Sequence, residues 1–248
     1  MRSVVITVAG MSSRFNADLD KKTLKCIYYE TSPADSLLMR QMEAIAPLVD
    51  EIVIVGGYMY DDLCRFVGEH AGRYADKVKL VENNHYHDYG SCYSLLKGIE
   101  AASKDATELI FVEGDLFFHP DSVSEVILSP VDVVTVNADP ITSDKAVAFY
   151  IDAGNHPHYI YDTHHSCLEI NEPFLAIYNS AQMWKFRDMA TLRRLCCNLT
   201  PARMQGTNLE VVQGYFGNKQ LTEMTVVKVM DWVNCNTVAD YRRAINIM

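Results

Sequence analysis

Short apolar runs alternate along the first half of the chain with stretches that carry a helical stripe. Ser3–Val8, Glu51–Val55, Lys77–Val81, Glu108–Val112 and Val131–Val136 are strand-length runs rich in β-branched residues. Between them, Asp35–Ala46 puts Leu38, Met42 and Ile45 on one helical face, and Tyr60–His70, Cys92–Ala102 and Asp121–Leu128 also read as helices. A strand that is apolar at nearly every position is covered on both faces, and a helix between two such strands supplies the crossover a parallel pair needs. The pattern predicts an α/β fold with a doubly wound, mostly parallel mixed sheet of Rossmann-like layout. At 248 residues and 49% hydrophobic, the chain can close such a core without disulfide or metal staples.

Beyond about residue 140 the rhythm changes. Lys145–Ile151, Tyr159–Tyr161 and Phe174–Tyr178 read as shorter strands, with Asp152-Ala153-Gly154-Asn155 as a hairpin turn. Ala181–Cys196 and Leu209–Phe216 read as helices, Met224–Met230 as a strand, and a last helix starts at Val238. Thr237 and Asp240 before it resemble a capping box with Asp in the usual Glu position. No repeat, low-complexity tract or Gly/Ser linker interrupts the chain. The expectation is one domain over 1–248, with a core at 1–140 and a small mixed α+β part at 141–248 on the same sheet.

The formal net charge of −10 argues against a binder of duplex nucleic acid, which needs a basic face. It leaves room for a small anionic ligand held by a few local cations. No run is long enough to cross a membrane, no signal peptide is evident, and the seven cysteines form no C-x-x-C pair. A cytoplasmic protein with reduced thiols is expected.

In an open α/β sheet, ligands bind beyond the carboxyl ends of the strands. The first strand ends in Val8-Ala9-Gly10-Met11-Ser12-Ser13-Arg14-Phe15, with Lys25 further on. Small residues let backbone N–H groups approach anionic oxygens, and Arg14 and Lys25 supply positive charge. The loop is neither a Walker A motif nor G-x-G-x-x-G. The second strand ends at Gly56-Gly57-Tyr58, the fourth at Glu113-Gly114-Asp115. Gly90, Ser91 and Ser94 stand at a helix start, where small groups can border a planar base. Asp115 is suited to hold a hard divalent cation through oxygen, and Asn234 can give a second oxygen. Each feature also has a plain structural meaning. The loop can be an ordinary β–α turn, Asp115 a turn cap, and Ser91 and Ser94 a routine helix start. Asn236 reads as part of the cap at Thr237. His85-x-His87, His156-x-His158 and His164-His165 lack zinc-site spacing and read as loop histidines, those of 156–165 with a role toward an anionic acceptor left open. Met183, Trp184 and Phe186 read as core.

Taken in order, these anchors resemble the nucleotidyltransferase family that includes sugar-phosphate nucleotidylyltransferases and phosphocholine cytidylyltransferases. The family's A-A-G-x-G-x-R loop is similar to Val8–Phe15, and its following lysine to Lys25. Its V-V-x-G-Y turn is similar to Val55-Gly56-Gly57-Tyr58, and its base-facing segment to Asn83–Tyr86 and Tyr89–Leu95. Its metal-binding aspartate matches Asp115, and its closing N-x-N-T-P-E-D-L pattern matches Asn234–Tyr241. Ser12 stands where the second loop glycine is usual, no proline precedes Lys25 (Lys22 is a nearby substitute), and the second metal position is Asn. The resemblance implies a Mg²⁺-dependent enzyme, with Arg14 on the β- and γ-phosphates and Lys25 on the α-phosphate. Val8–Ser13, Gly57, Tyr58, Gly90, Ser91, Ser94, Glu113 and Gly114 would line the nucleotide site, and Asp115 and Asn234 would hold the metal. CTP is the favoured donor, a phosphorylated or phosphonate small molecule the acceptor, and a homodimer is left open. The alternatives are a nucleotide-sugar glycosyltransferase, which the missing D-x-D after Asp115 disfavours, and a non-catalytic nucleotide binder.

Overall fold

The structure, a computed structural model, describes residues 1–142, 147–160 and 169–247. Its first half alternates β1 (Arg2–Thr7), α1 (Leu37–Ile45), β2 (Glu51–Gly56), α2 (Tyr60–His70), β3 (Val78–Glu82), α3 (Ser91–Ala101) and β4 (Glu108–Glu113). A two-residue strand β5 (Leu116–Phe117), α4 (Pro120–Leu128) and β6 (Asp132–Asn137) follow. The second half holds β7 (Ala148–Asp152), β8 (Pro157–Ile160), β9 (Phe174–Phe186), α5 (Met189–Cys197), α6 (Pro201–Met204) and α7 (Leu209–Phe216). It closes with β10 (Met224–Lys228), β11 (Val233–Asn234) and α8 (Val238–Ile245).

The strands form a 9-stranded sheet along β10-β6-β9-β4-β1-β2-β3, with β7 on β9 and β8 on β7. β1, β2, β3 and β4 run parallel, as do β10 and β6. Successive side chains on a strand point to opposite faces. Val4, Ile6, Ile52, Ile54, Ile110 and Val112 therefore meet Leu38 and Met42 of α1, Leu63 of α2 and Val123 of α4. Val5, Val53, Val55, Leu109 and Phe111 face the other way, onto Leu95 of α3, Leu192 of α5 and Val212 of α7. Two cores on the two faces of one sheet are the doubly wound α/β arrangement expected from the sequence.

One expectation is corrected. Ala181–Cys196 is not a helix: Ala181–Phe186 completes the 13-residue strand β9, and α5 starts only at Met189, capped by the Asp188 side chain. β9 runs antiparallel between β4 and β6. Ala181 and Met183 enter one core while Trp184 and Phe186 enter the other, so no polar alternation marks the strand. Lys185 in its midst is fully buried, donates to the carbonyls of Ile127 and Ser129 at 2.7 Å, and lies 3.0 Å from Glu108. The hairpin between β7 and β8 turns at Asp152–Asn155 as expected, with Asn155 at φ 65° and Asp152 Oδ1 accepting from the amides of Gly154 and His156. The capping box of Thr237 and Asp240 is present. Lys145, Tyr161, His164 and His165 lie outside the described residues. Among the described residues, no helix is long and apolar enough to cross a membrane, and the cysteines Cys26, Cys64, Cys92, Cys196, Cys197 and Cys235 are free thiols.

Candidate active site

β1, β2 and β4 end level with one another, Thr7 standing opposite both Val55 and Glu113. The segments leaving them enclose a cavity of about 200 Å³. Its floor is the loop after β1. The Val8 amide donates to Val55 O at 2.8 Å and the Tyr58 amide to Ala9 O at 3.1 Å, so the turn after β2 holds the loop down. Gly57 is needed there because a Cβ would press on Ala9 and Tyr86. At Gly10, which lines the cavity, a Cβ would meet nothing within 4 Å. Open space above a glycine backbone is what a phosphate cradle requires. Ser12 takes the left-handed φ of 54° that glycine adopts most readily, and its hydroxyl accepts from the Lys25 amide at 3.2 Å. The serine thus keeps the loop's shape and ties it to the segment bearing the lysine.

The charged end of the cavity centres on Asp115. Gly114 brings β4 so close to β1 that its amide donates to Thr7 O at 3.1 Å and a Cβ would collide with Val8. The buried Gln41 amide of α1 donates to Glu113 O at 3.0 Å and Leu116 O at 2.8 Å, fixing the turn that carries Asp115. Lys25 Nζ donates to Asp115 Oδ2 at 2.6 Å. Asp115 Oδ1 is buried without a hydrogen-bond partner among the described residues. β11 pairs antiparallel with β5, placing Asn234 opposite Leu116, and the Cys235 amide donates to Asp115 O at 2.8 Å. Asn236 donates from Nδ2 to Asn234 Oδ1 at 2.8 Å, and its own Oδ1 accepts from Arg14 Nη2 at 2.9 Å. The Asn236 backbone amide also reaches Asp240, so it serves the cap as expected and joins Arg14 to Asn234 as well. An orphaned carboxylate oxygen fits a hard cation such as Mg²⁺, which completes its shell with water and substrate oxygens, and Asn234 stands on the strand paired beside the turn that carries Asp115. Among the described residues there is no group of three or more His, Cys, Asp or Glu able to hold a metal by themselves.

The other end is built from buried polar groups. Asn83, fully buried, donates from Nδ2 to Ser94 Oγ at 3.0 Å and accepts from the His85 amide at 2.9 Å. Gly90 lies against the backbone of Gln205 and Gly206, where a Cβ would collide. The Gly90 and Cys92 amides donate to Met204 O and Gly206 O at 3.0 and 3.2 Å. Asn208 completes the wall: its amide donates to Ser91 Oγ at 2.9 Å and its Nδ2 to Glu113 Oε1 at 2.5 Å. Burial, reinforced by the Asp115 charge, pushes the Glu113 carboxyl above the usual range, against the pull of Asn208 and Lys25. Cys26 also faces the cavity, but burial pushes its thiol up to about 12 despite Lys25. It is therefore no nucleophile near neutral pH.

Of the residues singled out in the sequence, Val8, Ala9, Gly10, Ser12, Lys25, Gly90, Ser91, Ser94, Glu113, Gly114 and Asp115 line this one cavity. Gly57 and Tyr58 support the loop from behind. Met11, Ser13 and Arg14 are exposed and do not line it, and Asn234 is reached from it through β11 and β5. Thr7, Leu24, Cys26 and Asn208 line it unforeseen, while Tyr86 and Tyr89 line it from the segment expected to face the base. Asn208 gave no signal, because only the close approach of residues 204–208 to α3 brings it there. His156 and His158 are elsewhere, paired to Asp152 at 3.4 and 2.9 Å; the His156 backbone amide, followed by the His158 ring, holds the Asp152 carboxyl down to about 2.

A family model described as "Domain of unknown function (DUF6564)" matches residues 21–248. No curated protein sequence matches the chain. Solved structures do match in fold. The inositol-1-phosphate CTP transferase of T. maritima superposes with a TM-score of 0.69 at 16% identity, over 100% of this chain and 96% of that one. A candidate glucose-1-phosphate thymidylyltransferase of Bacillus anthracis gives 0.69 at 14% identity, over 100% and 95%. The CTP:phosphocholine cytidylyltransferase of Streptococcus pneumoniae gives 0.64 at 16% identity, over 99% and 98%. The nearly complete mutual coverage establishes that this chain has the nucleotidyltransferase fold.

Proposed function

The chain belongs to the DUF6564 family, and we propose that it is a Mg²⁺-dependent nucleotidylyltransferase that transfers CMP from CTP to a small phosphorylated or phosphonate acceptor and releases pyrophosphate. The observation that carries this reading is the pairing of Lys25 Nζ with Asp115 Oδ2 at 2.6 Å, beside an unpartnered Asp115 Oδ1, above an open glycine loop. Nucleotidyl transfer asks little covalent chemistry of a protein: it needs positioning and positive charge where negative charge gathers.

In this mechanism the loop amides near Gly10 and the Arg14 guanidinium hold the β- and γ-phosphates. Lys25 leaves Asp115 for the α-phosphate and neutralises the charge that builds as the acceptor oxygen attacks in line. Asp115 and Asn234 are the residues that would hold Mg²⁺, and the ion would supply charge neutralisation at the α-phosphate. The acceptor oxygen is already ionised near neutral pH, so no general base is required. Gly90, Ser91 and Ser94 border the base. CTP is favoured because Asn83-Asn84 and Tyr93-Ser94-Leu95 resemble the phosphocholine branch, and because two fold relatives are named for CTP as donor. The same reading places the protein in the cytoplasm and leaves a homodimer open.

Pyrophosphate release from CTP, UTP, GTP and ATP against a panel of small phosphate and phosphonate acceptors tests it. The expected result is Mg²⁺-dependent release, greatest with CTP. Sugar transfer from a nucleotide sugar, without pyrophosphate release, would replace this reading with a glycosyltransferase.

A further inference from the structure

We propose that Asn208 is a positioning residue that presents the Glu113 carboxylate to the ribose hydroxyls of the bound nucleotide, so that the site selects ribonucleotides over deoxyribonucleotides. The proposal rests on the nucleotidyl-transfer reading above and names what the inner end of the same cavity recognises.

Asn208 is 4% exposed and holds two groups of the cavity wall at once, Ser91 Oγ through its backbone amide and Glu113 Oε1 through its side chain. The Glu113 side chain lines the cavity, and its second oxygen has no hydrogen-bond partner among the described residues. The free Glu113 oxygen calls for a hydroxyl or amino partner, and a ribose hydroxyl, which both donates and accepts, meets it whether the carboxyl is ionised or protonated. Position decides between ribose and base. Glu113 stands directly opposite Thr7 where the phosphate loop begins, and two residues before Asp115. Extended chain rises about 3.3 Å per residue, so Glu113 and Asp115 are at most about 7 Å apart along the strand. That span matches the reach from an α-phosphate to the ribose hydroxyls of one nucleotide. The base lies further on, beside the paired Asn83 and Ser94. Without its Asn208 bond the carboxylate would be free to turn toward Lys25, and the acceptor would no longer be aimed at the sugar.

Equilibrium binding of CTP and 2′-deoxy-CTP with Mg²⁺, by calorimetry, tests this in the wild type, Asn208→Ala and Glu113→Gln; if another of the common triphosphates binds more tightly, that nucleotide and its deoxy form are used. The wild type is expected to favour the ribonucleotide at least tenfold. Both variants are expected to bring the ratio to threefold or less by weakening CTP while leaving deoxy-CTP nearly unchanged. Glu113→Gln keeps the shape of the side chain, so it answers even if Asn208→Ala folds poorly. Equal weakening of both nucleotides, an unaltered ratio in Glu113→Gln, or no ribose preference in the wild type overturns the proposal. A changed preference between amino and keto bases at constant ribose ratio also overturns it, by moving Glu113 to the base. Failure of the wild type to bind any of the triphosphates overturns the nucleotide reading itself, and this inference with it.

Discussion

Around Asp115 the groups at the rim of the cavity are charged and held by few contacts. Among the described residues, the Lys25 side chain bonds only to Asp115, Arg14 reaches only Asn236, and Asp115 Oδ1 has no partner. At the opposite end the groups are buried and cross-braced: Asn83 to Ser94 and His85, and Asn208 to Ser91 and Glu113. On the proposed reading, the first end exchanges partners when anions and a cation arrive, and the second is already in its working arrangement, which lowers the ordering cost of binding. Substitutions at the two ends should therefore divide, with catalysis failing at one and stability or recognition at the other.

The sharpest division is expected at Lys25 and Asp115. Lys25→Ala or Asp115→Ala should lower turnover by about 10²-fold to 10³-fold or more, the size seen when one preorganised charge-stabilising group is lost. The melting temperature should stay within a few degrees, because a partly exposed ion pair contributes little to stability. Steady-state kinetics beside calorimetric melting checks both halves, and a large loss of stability with full activity would break the comparison. Arg14→Ala should raise the KM for triphosphate about tenfold, as removal of charge-assisted bonds does. That penalty should shrink as salt screens the exposed charge.

Ser94→Ala reverses the pattern. It leaves buried Asn83 Nδ2 without its acceptor, at a cost of about 1–3 kcal/mol. A chain of this size then melts roughly 2–4 °C lower per kcal/mol, measurable by thermal or urea unfolding. The smallest effect is expected at Ser12, where the two ends of the argument meet in one residue. Ser12→Gly relieves the left-handed backbone but loses the bond to the Lys25 amide, so it should be nearly neutral in stability. Ser12→Ala loses the bond and keeps the strain, and should be the less stable of the pair by about 1 kcal/mol.

The same contrast explains what the sequence could reveal. Val4–Ile6, Ile52–Val55 and Leu109–Val112 are buried on both faces in a parallel sheet, and that burial writes itself as uninterrupted apolar runs. The strand ends follow, so Gly10, Lys25, Glu113 and Asp115 could be placed at one edge before any coordinates existed. Ala181–Phe186 is equally buried, but Gln182 and Lys185 interrupt it at a spacing that also suits a helix. Only the carbonyls of Ile127 and Ser129 and the carboxylate of Glu108 make Lys185 acceptable inside a sheet. Asn208 was hidden for a similar reason: its role comes from a long-range approach of residues 204–208 to α3, which leaves no local pattern. The pairing of β5 with β11 is just as silent, since two residues on each side carry no periodicity.

A crystal structure with a non-hydrolysable CTP analogue and Mg²⁺ tests the central claim most directly. The account predicts triphosphate over Gly10, Lys25 Nζ moved from Asp115 to the α-phosphate, and Asp115 Oδ1 on the cation. Nucleotide bound elsewhere, or bound here with the Lys25–Asp115 pair intact and no cation on Asp115, would contradict it.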